Sequence, residues 1–435
     1  MAAGMKDISV SFLTTAYIQA LNIVTGLLAA RLLLPEGRGE LAALMLWPGL
    51  VCELGALALS DALLYRLASQ LAPPRRLFAA MVWLTAALTV VLVPIGIALL
   101  PQVMTTHDVD IRMVAPWVMA AYVPSYFAAL FVSNLFQARM ELVTWNLVRA
   151  VVPTAYLLGI AVLGAWISPQ APEFAAAFVA AQLLSAAIGV ALAARRGWVA
   201  FLADPADLRA LVVYGAKAHA SEVLHSLRLK LDQAVVALLM SASDLGLYAV
   251  ALTVANGPLI LVQTVYNVAF PKISAQATHE GKILIFGRYL RLTLATVIAI
   301  DLALIVTNWW LVPLLFGAPF ASAVLVANLL LLGLIPFAAK IMFAAALKAW
   351  DRALAIPRAE IWGLVTIAPA LFLLVPGYGL YGAAIATVLA QLVSAVTLGV
   401  RLGRELDVNP LGLMHPSRDD LTLLRDAFDR AIDRG

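Results

Sequence analysis

Residues 77–100 read LFAAMVWLTAALTVVLVPIGIALL, 24 positions without one charged side chain. At 1.5 Å of rise per residue a helix of that length covers roughly 36 Å, enough to cross about 30 Å of hydrocarbon. The run does not alternate polar with apolar residues, so it is no barrel strand. In lipid, backbone N–H and C=O groups find no water, and the α-helix is the structure that satisfies them within one segment. Similar runs occupy 8–34, 40–59, 111–136, 142–167 and 174–194, and a second set occupies 211–240, 245–270, 283–309, 321–349, 354–375 and 380–402. The expectation is an all-α integral membrane protein of about twelve spans. Connectors such as Pro35–Gly39 and Pro376–Gly379 are short, and no extramembrane domain fits between them.

Composition agrees. Hydrophobic residues make up 63% of the 435 and charged residues 12%, whereas a soluble domain is about half apolar and a quarter charged. The single cysteine, Cys52, excludes an intrachain disulfide. The first run is too long for a signal peptide and lacks a cleavage site, so it reads as a retained span. Net charge is only +4, and no nucleic-acid partner is expected.

The basic residues are unevenly placed. Lys6, Arg66, Arg75, Arg76, Arg139, Arg195, Arg196, Arg209, Lys272, Lys282, Lys348, Arg352 and Arg404 fall on one side of the span assignment, against little more than Arg38 and Arg112 on the other. By the positive-inside rule both termini are cytoplasmic. Residues 195–210, with Trp198 and Phe201 beside Arg195 and Arg196, read as an interfacial linker between a six-helix lobe at 1–194 and another at 211–402. The tail, 403–435, is polar; Ser417 with Asp420 and the spacing of Leu421, Leu424, Phe428 and Ile432 suggest an amphipathic surface helix, with a weakly ordered tail as the other reading. The halves echo one another: ARLLLPEGRGELAAL at 30–44 aligns with ALLMSASDLGLYAVA at 237–251, placing Gly39 on Gly246, and one gap later Arg66 meets Lys272. Two pseudo-symmetric lobes around a central cavity are a frequent transporter plan.

Ionisable groups inside spans are costly and mark function. Lys217, Ser221, His225, Arg228 and Asp232 recur at spacings of 4, 4, 3 and 4 on the seventh span, with Glu222 at the stripe's edge. The stripe lines a watery path, or Arg228 and Asp232 pair at i, i+4 and hold the helix in place. Lys340, Glu53, Asp61, Arg149 and Asp301 are further intramembrane candidates, and Arg31 at the outer end of span one reads as an interfacial anchor as readily as a substrate contact. Arg149, two turns in, has the reach to snorkel to headgroups. Catalytic motifs are missing: the five histidines lack metal-ligand spacing, there is no HExxH and no GxxxxGK[ST]. GYGLYG at 377–382 matches GxGxxG but joins two hydrophobic runs without a βαβ unit. No metal, cofactor or enzymatic activity is expected.

Four segments carry a family resemblance: Ala30-Arg31-Leu-Leu-Leu-Pro35-Glu-Gly-Arg-Gly39; Leu229-Lys-Leu-Asp232-Gln233 with Asp244-Leu-Gly246-Leu-Tyr248-Ala249; Leu315-Phe-Gly317-Ala-Pro-Phe320; and Pro376-Gly-Tyr-Gly379-Leu-Tyr-Gly382. In this order, over residues 5–401, the chain resembles polysaccharide transporters, the Wzx-type lipid-linked oligosaccharide flippases of the multidrug/oligosaccharidyl-lipid/polysaccharide exporter superfamily. It departs from them at Leu34, where glycine often precedes the proline.

The resemblance implies two six-helix lobes in a V around a cavity that opens alternately to each side. It implies flipping of an undecaprenyl-diphosphate-linked oligosaccharide from the cytoplasmic to the periplasmic leaflet of a bacterial inner membrane, with a polysaccharide polymerase and export machinery as partners. On that reading Arg228, Lys340, Lys217 and Arg149 supply cations for the diphosphate. Ser221, Glu222, His225, Asp232, Gln233 and Asn146 line the path, and Glu53, Asp61 and Asp301 are candidates for ion coupling. The alternative is a cation-coupled multidrug exporter of the same fold, which would favour an acidic cavity. A membrane enzyme would need clustered catalytic groups in a long loop, and there is no such loop.

Overall fold

A computed structural model describes residues 2–166, 169–352 and 355–415, leaving aside the side chains of 2–9, 12, 221 and 225. The polar tail beyond 415, with the expected amphipathic helix of Leu421, Leu424, Phe428 and Ile432, lies outside the described residues. The chain is all-α. Its helices are α1 (Ala2–Gly55), α2 (Leu59–Ala68), α3 (Pro74–Val103), α4 (Val109–Ala138), α5 (Leu142–Trp166), α6 (Ala171–Arg195), α7 (Pro205–Leu239), α8 (Ala242–Ala255), α9 (Leu259–Ser274), α10 (His279–Phe316), α11 (Ala323–Ala349), α12 (Ala355–Leu406) and α13 (Pro410–Met414).

Among the described residues nine helical segments are long and apolar enough to cross a membrane. Two of these hold two spans each. The helix α1 breaks at Leu34 (φ 60, ψ 179), ahead of Pro35, and α12 breaks at Gly379 (φ 56, ψ −134). Proline explains the first break, since it lacks an amide hydrogen and pushes the preceding residue out of the helical region. Glycine explains the second, because it alone enters positive φ without a Cβ clash. The literal GxGxxG is thus an inter-span turn: a Cβ on Gly382 would overlap the carbonyl of Leu374. With α7, whose polar stripe keeps it out of the nine, the spans number about twelve.

The second spans of the two sequence halves are both interrupted. The first ends at Gly55 and resumes as α2 after Leu57 and Ala58, both at positive φ. The eighth, residues 242–274, breaks between α8 and α9 at 256–258. Arg66 and Lys272, aligned in the sequence echo, both lie in the last turn of the helix after the break.

The chain forms two compact units, Met1–Thr253 with Val312–Ala323, and Val254–Leu311 with Val324–Gly435. In the first, α4 packs on α3 and α6, α5 on α1 and α6, and α7 on α1, α2 and α3. The packing boundary therefore falls inside α8, beyond the linker expected to divide the lobes. The linker itself is pinned within this unit. Trp83 Nε1 donates to the carbonyl of Phe201 (2.8 Å), Arg196 pairs with Glu141 (2.6 Å), and buried Asp207 accepts from Arg66 and Arg76 (both 2.8 Å). Arg31 donates through Nε to the carbonyl of Leu315 (2.6 Å) and also to that of Leu314. It caps the last carbonyls of α10, which have no partner within their own helix. The second unit is centred on Phe286, Leu290, Met342, Phe343, Leu398 and Leu402.

Candidate transport site

In the first unit the central ion pair is Lys230 Nζ to Glu53 Oε1, 2.6 Å, between α7 and the second half of α1. The aromatic rings of Tyr122 and Tyr126 stack at 6.0 Å, and Tyr122 also stacks on Phe178 at 5.9 Å. A Cβ on Gly49 would sit 3.5 Å from Lys230 Nζ and 3.6 Å from the Tyr122 hydroxyl, so this glycine brings ammonium and phenol beside the α1 backbone. Glu53 is therefore no isolated acid. Its partner Lys230 falls outside the stripe read from the sequence: two residues from Arg228 is a turn of about 200°, which puts it on another face of the helix. The signal available in the sequence is Glu53 itself, since a mid-span carboxylate calls for a cation.

Farther along α7, Asp232 is only 4% exposed; it accepts from the Tyr248 hydroxyl (2.8 Å) and from the Gln233 amide (2.8 Å). Arg228 is half-buried with Nε and Nη1 shielded, Gln233 is half-buried, and Lys217 and Glu222 are exposed. Ser221 and His225 lie on α7, but their side chains are outside the described residues.

Other candidates sit apart from the Glu53–Lys230 pair. Asn146 is buried and donates to Ser11 Oγ (2.9 Å), while the Arg149 guanidinium lies 4.3 Å from the Trp145 ring centroid and donates to Asn146 Oδ1 at 3.4 Å. The Asn146–Ser11 bond fastens α5 to α1. Asp61 is exposed in the first turn of α2, beyond the break that interrupts the second span after Gly55.

The second unit carries its own buried cation. Lys340 in α11 is 2% exposed; its Nζ is 3.1 Å from Glu360 Oε1 and 3.2 Å from Gln391 Oε1, and stands 4.9 Å from the Phe337 ring centroid. Both partners come from α12, one from each side of the Gly379 break. Asp301 in α10 is 1% exposed, and neither carboxylate oxygen has a hydrogen-bond partner among the described residues. One turn and two turns on, the carbonyl of Ile305 and Asn308 Nδ2 bond to the side chain of Asn328 (3.3 and 2.7 Å), extending a polar seam between α10 and α11.

A helical bundle of about twelve spans with opposed charges paired inside it is the architecture of a multi-pass membrane protein, and known structures share the fold. The chain is similar to the lipid II flippase MurJ in an inward closed conformation (TM-score 0.75, 15% identity, 96% of this chain and 91% of that one). It is also similar to an inward-facing multidrug resistance MATE family transporter of the MOP superfamily (TM-score 0.67, 13% identity, 89% and 94%). A third similarity is to a MOP superfamily transporter from Pyrococcus furiosus, described as having a binding pocket of reverse polarity (TM-score 0.62, 11% identity, 94% and 96%). At these identities the likeness establishes the fold. The family follows from the sequence: residues 5–277 match the model of the polysaccharide biosynthesis protein family, and the chain belongs to it. Comparison with curated proteins finds no match.

Proposed function

We propose that the protein flips an undecaprenyl-diphosphate-linked oligosaccharide from the cytoplasmic to the periplasmic leaflet of the bacterial inner membrane by alternating access. On this reading both termini are cytoplasmic and a polysaccharide polymerase consumes the product. The observation that carries the proposal is Lys340, a cation buried at mid-span in a member of a polysaccharide biosynthesis family.

A diphosphate does not enter hydrocarbon unaided, because an unpaired ion loses its hydration. Lys340 beside Glu360, and Lys230 beside Glu53, are lysines each paired with a carboxylate. The incoming diphosphate exchanges with the carboxylate, so the ammonium is never left alone and the lipid's charge is matched. Arg228 and Lys217 add cations on α7. Gln233, Glu222, Ser221 and His225 line the path for the glycan, and Tyr122 and Tyr126 offer flat faces to sugar rings. We assign Arg149 and Asn146 a positioning role, since Trp145 and Ser11 already occupy them. Asp301, buried without a hydrogen-bond partner among the described residues, is the best placed candidate for proton coupling.

The test is deletion followed by lipid analysis. Undecaprenyl-linked oligosaccharide accumulates on the cytoplasmic side, and Lys340→Glu, present at normal level in the membrane, fails to restore export. Full export by that variant overturns the role of Lys340. The likeness to MATE transporters supports a second reading, efflux of cationic drugs through Glu53 and Glu222. In that case deletion raises drug sensitivity and leaves the lipid-linked glycan unchanged.

A further inference from the structure

The second unit has an apolar groove of about 1480 Å³ between α10, α11, the second half of α12, and α13. It exceeds the roughly 300–1,000 Å³ of a drug-sized site. Its α12 wall, from Leu392 through Val396 and Gly399 to Gly403, recurs at three- and four-residue spacings and is one face of that helix, while α10 contributes a broader wall from Arg288 through Ala295 to Ile300. Leu392, Val396 and Val400 on that face are exposed. Among the described residues the polar lining beyond the two arginines is Thr296 on α10 and Asn409 at the start of α13.

Charge is confined to that end. Arg288 is exposed; Arg291 donates from Nη1 to the carbonyl of Leu413 (3.2 Å), which ties α13 across the mouth. Their depth can be read from α10. Residues 292–316 hold 25 positions with Asp301 as the lone charged residue, roughly 37 Å of helix that spans the hydrocarbon by itself. Arg288 and Arg291 therefore stand at headgroup level. From Arg288 to Ile300 the groove descends roughly 18 Å, close to the ~15 Å depth of one leaflet. A wall that starts at two guanidinium groups and stops at mid-bilayer has the dimensions of a phospholipid.

We propose that this groove seats an anionic phospholipid of one leaflet, phosphate on Arg288 and Arg291 and acyl chains along α10 and α12. The much longer chain of a polyprenyl carrier would overrun a groove of one-leaflet depth. Guanidinium groups suit a phosphodiester, to which they donate in pairs. The site is independent of the flipping reading and stands or falls without it.

The test uses the full chain in membranes of phosphatidylglycerol and phosphatidylethanolamine, with Val396→benzoylphenylalanine as a photo-crosslinker and the adducts identified by mass. Phosphatidylglycerol is the expected adduct, enriched about 30-fold over its share and losing that enrichment in Arg288→Gln/Arg291→Gln, at about fivefold for each arginine. Should the double variant not fold, Arg288→Gln alone, at an exposed position, reads the fivefold step. Equal capture of both lipids overturns the proposal. So does capture of a polyprenyl lipid, a second copy of the chain, or the chain's own residues 416–435, and so does enrichment that survives loss of both arginines.

Discussion

Gly39 and Gly246 approach so closely that neither has room for a side chain: a Cβ on either would stand 2.9 Å from the amide nitrogen of the other. The first would also overlap the carbonyl of Ala242, and the second that of Pro35. The turn after span one and the turn after span seven, which the internal echo aligns, thus meet backbone to backbone in the first unit. Close approach through small residues is how helices associate in lipid, where van der Waals contact replaces the hydrophobic effect.

Alanine at either position is therefore expected to destabilise by about 3 kcal/mol or more, the upper range for overpacking, because the obstacle is backbone and cannot rotate away. Thermal unfolding of detergent-purified Gly39→Ala and Gly246→Ala checks this. Gly377, where a Cβ would meet nothing within 4 Å, is the control that tolerates alanine.

Leu34 sits at φ 60, ψ 179, a region populated almost only by glycine and costing an L-residue roughly 1–3 kcal/mol. Glycine is what the family resemblance leads one to expect at this position, and the positive φ supplies the conformational reason. Leu34→Gly relieves the strain, offset in part by glycine's greater chain entropy, so its unfolding temperature equals or exceeds the wild type. Leu34→Val, branched at Cβ, lowers it.

Lys340 and Glu360 form an ion pair whose lysine side chain is 3% exposed. Removing one partner of such a pair leaves a buried charge and costs about 3–5 kcal/mol, whereas removing both is near neutral. Lys340→Met is expected to unfold at markedly lower temperature and Lys340→Met/Glu360→Gln to recover most of the loss. Export of lipid-linked glycan stays absent in both. Stability without transport separates substrate contact from scaffolding.

His107 lies in the turn between α3 and α4, 4% exposed, and burial lowers its pKa below the usual imidazole value. Below about pH 6.5 the unfolded chain takes up a proton there that the folded turn resists. The unfolded state then binds more protons, so stability falls as pH drops from about 6.5 toward the depressed folded value and is unaffected above it. Unfolding temperatures measured from pH 7.5 to 5 should decline less in His107→Gln than in the wild type.

What the sequence determined by itself is the set of helices. Among the described residues the apolar runs, from 8–34 to 380–402, became helix, the second and eighth with a short break, because a segment in lipid must close its own backbone hydrogen bonds, a constraint local to that segment. Pro35 and Gly379 marked two inter-span turns for equally local reasons, and the matched segments marked the family. Partnership was another matter. Lys230 lies off the polar stripe of α7, and Glu53 is 177 positions away in sequence. Asp207 binds two arginines that no spacing pairs with it, and Asn146 donates to Ser11 on α1 rather than to a neighbour on its own helix. Only tertiary structure decided these. A buried charge fixes that a counter-charge is needed, while which helix supplies it depends on packing between segments that carry no mutual record in a single chain.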